Sequence, residues 1–553
     1  MGSVGNGGRR FLLVWVVSSL LLLMLSMAWS AMTPLYGGPS EAAQVLNAAA
    51  VARGQLVGSG SAQGIHHPHR SVHVPGQLAE NRGAAACFAG NPKQPAGCSH
   101  WSATKRRGSV QVPTFVAGHP PLYYAVVGWP SLWNVGPGGI RVMRLLSSAT
   151  AAALLGLAFA SLAGWARSKS WAAGLGLAMT PMELFLMGVV SPLGVEVAAA
   201  TAAWVSGLLV VWEVRRQPPA ALATVFAASA GVLALSTPLG PVWVAIMLPF
   251  LVLLTPPSRL RLLAGAPVVR RAIGFVGAAV VLGAAWDAVF PAGSSPHVTG
   301  TVRISGTAPA KFVESAHQVG YMLSQMIGVL GPSDTVLPNG VYFTWLAATG
   351  AVVFSALAWA PARQRMGVAA SAALASVVPI LVVMVQAGGG GRVTITGADV
   401  LPVVIGLPLV AGAALAKGVS EREDAVQGIG PSLVGRLTSA VLTALVACDA
   451  TAFVATYRRF SVGTAGPLDP LASVRQGWQP AIGGLLLTVL SFVAVTGVMY
   501  WLVFVCPPEG GVPSTGKVED RSGPLRPPSA RTGEEASVNA PASGHRDDSA
   551  AGA

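Results

Sequence analysis

Arg9-Arg-Phe-Leu-Leu-Val-Trp-Val-Val-Ser-Ser-Leu-Leu-Leu-Leu-Met-Leu-Ser-Met-Ala-Trp29 sets two arginines before an unbroken apolar run, and a polar stretch from Ser30 to Gly118 follows it. A run of about 18 apolar residues spans a bilayer as a helix. Ala28-Trp-Ser-Ala31 loosely matches a small-residue cleavage site, but the run is long for a signal core, so a retained anchor is expected. With Arg9 and Arg10 holding the amino-terminal side within, the polar stretch beyond Trp29 is external.

The rest of the sequence repeats this pattern. Apolar residues make up 52% and charged residues only 10% of the chain, against about 25% charged in a soluble domain. The expected fold is an all-α integral membrane protein of about 12 transmembrane helices with a long first external loop. After the first helix the spans read Gly139–Trp165, Trp171–Val190, Leu193–Trp212, Ala220–Pro238, Val242–Thr255 and Ala272–Phe290. A second group follows at Val341–Ala360, Gly367–Gln386, Val400–Ala416, Leu437–Tyr457 and Ala481–Val505. The chain therefore divides into residues 1–29 (amino-terminal end and first span), 30–138 (external loop), 139–290, 291–340 (second external segment), 341–506 and a tail, 507–553. The tail is Pro-, Gly- and Ser-rich and is expected to be disordered on the inner side.

The formal charge of +14 is an orientation signal. Arg167 and Lys169, Arg215 and Arg216, Arg259 to Arg271, Arg363 and Arg365, and Lys417 to Arg436 all fall in loops expected to be internal. This argues for a plasma-membrane protein with both termini cytoplasmic, and against nucleic-acid binding, which would gather the basic residues on one soluble face.

Within the first loop, Tyr36-Gly-Gly-Pro-Ser-Glu-Ala-Ala-Gln44 leads into an Ala-rich run to Arg53. Ser40 is a natural N-cap, Ala favours helix, and Val45, Leu46 and Val51 supply an apolar side, so a short helix lying on the membrane surface is expected. Glu41 stands in its first turn, either as a helix-dipole charge or as a site carboxylate. The Gly-, Ser-, Pro- and His-rich stretch from Gly54 to Gly118 lacks a sustained period and reads as irregular structure. Cys87 and Cys98 bracket ten residues of it, and an oxidising exterior permits a disulfide there, worth about 3 kcal/mol. His66, His67, His69 and His73 lack interleaved carboxylate or cysteine ligands, so no metal site is expected.

His119-Pro-Pro-Leu-Tyr-Tyr124 ends the loop: the prolines set an extended approach and then a helix start, and Tyr123, Tyr124, Trp129 and Trp133 suit a membrane–water interface. Arg141 and Arg144 follow at the mouth of the next span. Glu183, Glu196 and Asp287 lie in or at the ends of spans, where ionisable groups face a cavity or a partner. Glu196, after Ser191-Pro-Leu-Gly-Val, falls at the same end as Glu41. The second external segment contains an amphipathic stretch from Phe312 to Leu330. Gly388-Gly-Gly-Gly-Arg392 is a flexible external loop whose arginine suits a phosphate clamp.

Thr33 to Glu41, Ala49-Ala-Val-Ala-Arg-Gly-Gln55, His119 to Tyr124, Thr180-Pro-Met, Ser191 to Glu196, Asp334-Thr-Val-Leu-Pro338, Gly391-Arg392 and Arg458 to Gly463 together resemble the mainly actinobacterial branch of a family of predicted membrane proteins, domain of unknown function 2142. That family is similar to the GT-C class of membrane glycosyltransferases. The resemblance implies sugar transfer, without a cofactor, from a polyprenyl-phosphate carrier to an envelope glycan or lipid on the outer face. It implies Glu41 as catalytic base or acceptor-orienting group, His119, Arg392 and Arg141 as contacts to the carrier phosphate, Tyr123 and Tyr124 as binding residues, and Glu196 in the sugar pocket. The chain departs from the family pattern at Ser40 and Gln44, where aspartate and histidine are usual, and at Val393, where tyrosine is usual. A carrier-lipid-binding or scaffolding subunit that has lost the chemistry is the alternative, and a transporter a second one.

Overall fold

Hydrocarbon offers the backbone no hydrogen-bond partner, so a chain this apolar must satisfy its amides within helices. The structure, a computed structural model, describes residues 2–62, 69–102, 108–214, 218–291, 293, 304, 307–388, 395–423, 429–467 and 477–506, and is predominantly helical. Among these residues nine helices are long and apolar enough to cross a membrane, and Ala220–Ser236 and Gly240–Leu254 are two shorter apolar ones.

The amino-terminal half runs through α1 (Gly2–Met32), the loop domain, α5 (Pro137–Trp165), α6 (Ser170–Ala178), α7 (Pro181–Met187), α8 (Pro192–Leu208), α9 (Ala220–Ser236), α10 (Gly240–Leu254), α11 (Pro257–Gly265) and α12 (Pro267–Val289). Then come α13 (Ala308–Gly328), α14 (Asn339–Trp359), α15 (Ala362–Gly388), α16 (Gly397–Val404), α17 (Gly406–Glu423), α18 (Ile429–Val462) and α19 (Gly484–Val505). Cross-links between helices fix which ends meet. Arg167 and Glu213 approach to 3.7 Å at one end, whereas Thr237 bonds Glu196 at 2.7 Å at the other. The first is the basic end and the second the loop end.

Two expectations change in the helices. The span expected at Trp171–Val190 is two short buried helices, α6 and α7, because Pro181 cannot continue the ladder and Thr180 caps a new start by accepting from the Glu183 amide at 3.2 Å. The span expected at Val400–Ala416 begins earlier, at Gly397, and is interrupted at Ile405, between α16 and α17.

The loop domain also differs from its expectation. It carries α2 (Glu41–Val51), β1 (Ser59–Ala62), β2 (His69–Pro75), α3 (Gly76–Asn81), β3 (Ser109–Thr114) and α4 (Leu122–Val127). β1, β2 and β3 form an antiparallel sheet in that order, so the stretch read as irregular is in part a meander. Its apolar positions, Val72, Val74 and Val112, alternate too briefly among polar residues to give a sequence signal, yet all three are buried. Helix α2 is not a surface helix: every residue from Gln44 to Val51 is buried, because β2, β3 and α4 cover the face that the sequence left for lipid. His66, His67 and the tail from Pro507 lie outside the described residues.

Cys87 and Cys98 form a disulfide. Beside it Arg459 of α18 donates to the carbonyls of Gln94 at 2.8 Å and Phe88 at 2.8 Å and to Asp334 Oδ2 at 2.7 Å. This ties the loop domain to the far third of the chain. Cys448 and Cys506 are buried free thiols.

Candidate functional site

A cavity of about 1130 Å³ opens at the loop end, walled by the start of α2, the loop domain, α7, the start of α8, the α9–α10 corner, α13 and the start of α16. It brings together Glu41, His119 and Glu196, which the sequence singled out, with Arg82, Gln325 and Asp399, which it did not.

Glu41 is held more completely than a free carboxylate. Its Oε1 accepts from Arg144 Nε at 2.7 Å and from the Val190 amide at 3.0 Å, and its Oε2 from Arg144 Nη2 at 2.7 Å and the Gly38 amide at 3.2 Å. A carboxylate has about four acceptor positions, and all are filled. The remaining Arg144 hydrogens go to the carbonyls of Ser30 at 3.0 Å, Thr33 at 2.7 Å and Pro34 at 2.7 Å. Glu41, expected as a base or acceptor-orienting group, lines the cavity and at the same time knots the turn after α1 to α5 and to the segment that follows α7.

One turn further along α2, Gln44 Oε1 accepts from the Tyr124 hydroxyl at 2.6 Å, and that hydroxyl lies 3.3 Å from His119 Nδ1. Since the single Tyr124 hydrogen goes to Gln44, His119 Nδ1 must be the donor in the second contact, which leaves Nε2 with its lone pair. Burial lowers the His119 pKa from 6.5 to about 4. A neutral imidazole with an open lone pair can accept from a hydroxyl. Tyr123 bonds Ser147 at 2.9 Å, and burial raises its pKa. Neither tyrosine lines the cavity, and both are buried.

Arg141 is exposed on the outer side of α5, three residues before the buried Arg144, and has no place in the cavity wall. Arg392 lies outside the described residues.

Glu196 reaches the cavity from the second turn of α8 and Asp399 from the first turn of α16. Glu196 Oε1 accepts from Thr237 Oγ1 at 2.7 Å. Asp399 Oδ2 accepts from the Thr396 amide at 2.7 Å and its hydroxyl at 2.8 Å, a capping box, while Oδ1 accepts from no described residue. The Thr396-x-x-Asp399 spacing is the sequence signal that could have found this carboxylate. Gln325 of α13 takes the Gly397 amide on Oε1 at 2.7 Å, which docks α13 on the start of α16. Glu183 is buried, and neither of its carboxyl oxygens is hydrogen-bonded to a described residue.

Backbone strain gathers here as well. The non-glycine residues with left-handed backbone among those described are Tyr36 (φ 62), Ser40 (φ 53) and Ser333 (φ 63), and each lines the cavity. Such a conformation costs about 1–2 kcal/mol per residue, and it is typical of sites whose geometry is fixed for a ligand. Among the described residues no group of three or more His, Cys, Asp or Glu side chains is placed to hold a metal ion.

No curated protein and no solved structure matches the chain. The profile of the family described as predicted membrane protein (DUF2142) matches residues 23–399, an interval that contains every described residue lining the cavity. The chain belongs to the DUF2142 family of membrane proteins.

Proposed function

We propose that this protein transfers a sugar from a polyprenyl-phosphate carrier to a hydroxyl acceptor in the cavity at its loop end, on the outer face of the plasma membrane. The carrying observation is that Glu196 and Asp399, each steadied by a threonine, face one cavity of about 1130 Å³ at one end of an apolar helix bundle. The basic residues gathered at the other end support cytoplasmic termini.

In this reading the acceptor oxygen attacks the anomeric carbon, the carbon–oxygen bond to phosphate breaks, and polyprenyl phosphate leaves with the electron pair. The acceptor's proton passes to Asp399 Oδ1, the carboxylate oxygen that no described residue occupies. A base within hydrogen-bond reach contributes about 10²–10⁴-fold to such a step. Glu196 binds sugar hydroxyls, and His119 Nε2 accepts from the incoming hydroxyl and orients it.

The test uses the full chain in lipid nanodiscs with radiolabelled decaprenyl-phosphate sugars. Turnover that falls at least 100-fold in Asp399→Asn while binding persists supports the proposal. Turnover that survives this change removes Asp399 from the chemistry. The filled coordination of Glu41 favours a second reading, a carrier-lipid-binding subunit without chemistry, which predicts tight binding and no turnover in any variant. Solute flux in liposomes would point to a transporter instead.

A further inference from the structure

The arginines at the loop end are mostly spent on the protein itself. Arg53 bonds Ala49 and Ser131, Arg144 bonds Glu41 and three carbonyls, and Arg458 bonds the carbonyls of Thr464, Gly466 and Pro467. Arg459 bonds Asp334 and the loop carbonyls, and Arg70 lies over the Phe290 ring at 5.5 Å. Arg82 is different. It follows α3, its Nη1 donates to the Ala79 carbonyl at 2.8 Å, and Nε and Nη2 have no partner among the described residues. It is the one lysine or arginine among the described residues that lines the cavity.

We infer that Arg82 is the anion contact of the cavity, and that the group it receives is a phosphate monoester or diester carried on the ligand. One guanidinium edge is anchored to the protein and the other is open. This is the arrangement that presents a planar fork to two phosphate oxygens with little further loss of freedom. The polarity of the cavity agrees. Arg82 comes from the loop domain, whereas the carboxylates Glu196 and Asp399 come from α8 and α16, so the anion and hydroxyl groups of one ligand meet different walls. Glu41 adds no net repulsion, because Arg144 pairs with it at 2.7 Å. The inference rests on the transfer reading for the identity of the ligand, and on the cavity alone for its charge.

The experiment is binding of decaprenyl phosphate, decaprenol and inorganic phosphate to the full chain in nanodiscs, followed by tryptophan fluorescence. The comparison is among wild type, Arg82→Gln, Arg82→Lys and Arg141→Gln. The expected result is decaprenyl phosphate affinity at least 10-fold weaker in Arg82→Gln, partly restored in Arg82→Lys, and unchanged in Arg141→Gln, with decaprenol indifferent to all three. Modification of Arg82 by phenylglyoxal, mapped by mass spectrometry, should be blocked by decaprenyl phosphate in the unmutated protein, which covers the case of a misfolded variant. Equal affinity in Arg82→Gln, absence of binding to wild type, or modification without protection each overturns the inference. Arg82-dependent binding of inorganic phosphate without binding of the lipid keeps the anion site and sinks the carrier reading.

Discussion

Arg144 grips Glu41 through two parallel hydrogen bonds of 2.7 Å, and both side chains are out of reach of solvent. Removing one member of a buried pair strands the other charge, at a cost of about 3–5 kcal/mol. Glu41→Gln and Arg144→Met should therefore each lower the melting temperature in detergent substantially, and Arg144→Lys should as well, because a single ammonium cannot replace the fork. A double exchange to Gln and Met that restores part of the loss would confirm that the pair acts as a unit. Full stability in either single variant would remove it from this role.

Arg459 supplies the matching clamp on the other side of the loop domain. Arg459→Ala leaves the carbonyls of Phe88 and Gln94 without this donor and Asp334 with only the Gly90 amide at 3.1 Å and the Thr335 hydroxyl at 3.0 Å, so the segment around the disulfide should open. Limited proteolysis between residues 82 and 98 should become at least 10-fold faster, while α1 to α12 keep their protection. An unchanged cleavage rate would show that the disulfide alone holds this segment.

His119 makes stability depend on pH with a definite sign. Its pKa is about 4 in the folded chain and about 6.5 in an unfolded one. Below pH 6.5 the unfolded chain takes up a proton that the folded one does not, so stability falls from pH 6.5 to about 4 and then levels. The loss is up to about 3 kcal/mol. His119→Gln should flatten that part of the pH–melting curve, and a slope that persists in the variant would assign it to another group.

Gly397 is where α13 meets the start of α16: a methyl group there would fall within contact distance of the Met322 carbonyl and 2.8 Å from Gln325 Cβ. Gly397→Ala should push α13 away, break the Gln325 bond and enlarge the cavity. The measurable result is loss of ligand binding with most of the helical circular dichroism intact; unaltered binding would mean that α13 has room to yield.

The helices were legible because hydrophobicity over some twenty residues is a strong local signal, and the disulfide because two cysteines share one polar loop. Glu196 and His119 were legible as members of one end. The partner of Glu41 was not, although a signal exists: Arg144 lies on the same face of α5 as the buried Ser147, Ser148 and Ala151, whereas Arg141 shares its face with the exposed Val142 and Leu145. The sheet and the burial of α2 were hidden because they depend on contacts between segments far apart in sequence, which no local pattern encodes. Arg82 has no sequence signal of its own; only the folding of the loop domain over the bundle brings it to the cavity.

The clasp between Arg459 and the Gln94 carbonyl joins positions 365 residues apart. A ribosome completes the early loop long before it makes α18. The loop domain must then wait, its disulfide already closable but its polar cleft unsealed, until the carboxy-terminal third has been made. Closure of the cavity is thus tied to completion of translation, and a nascent chain stalled before residue 459 would hold a loop domain that lacks its last clasp.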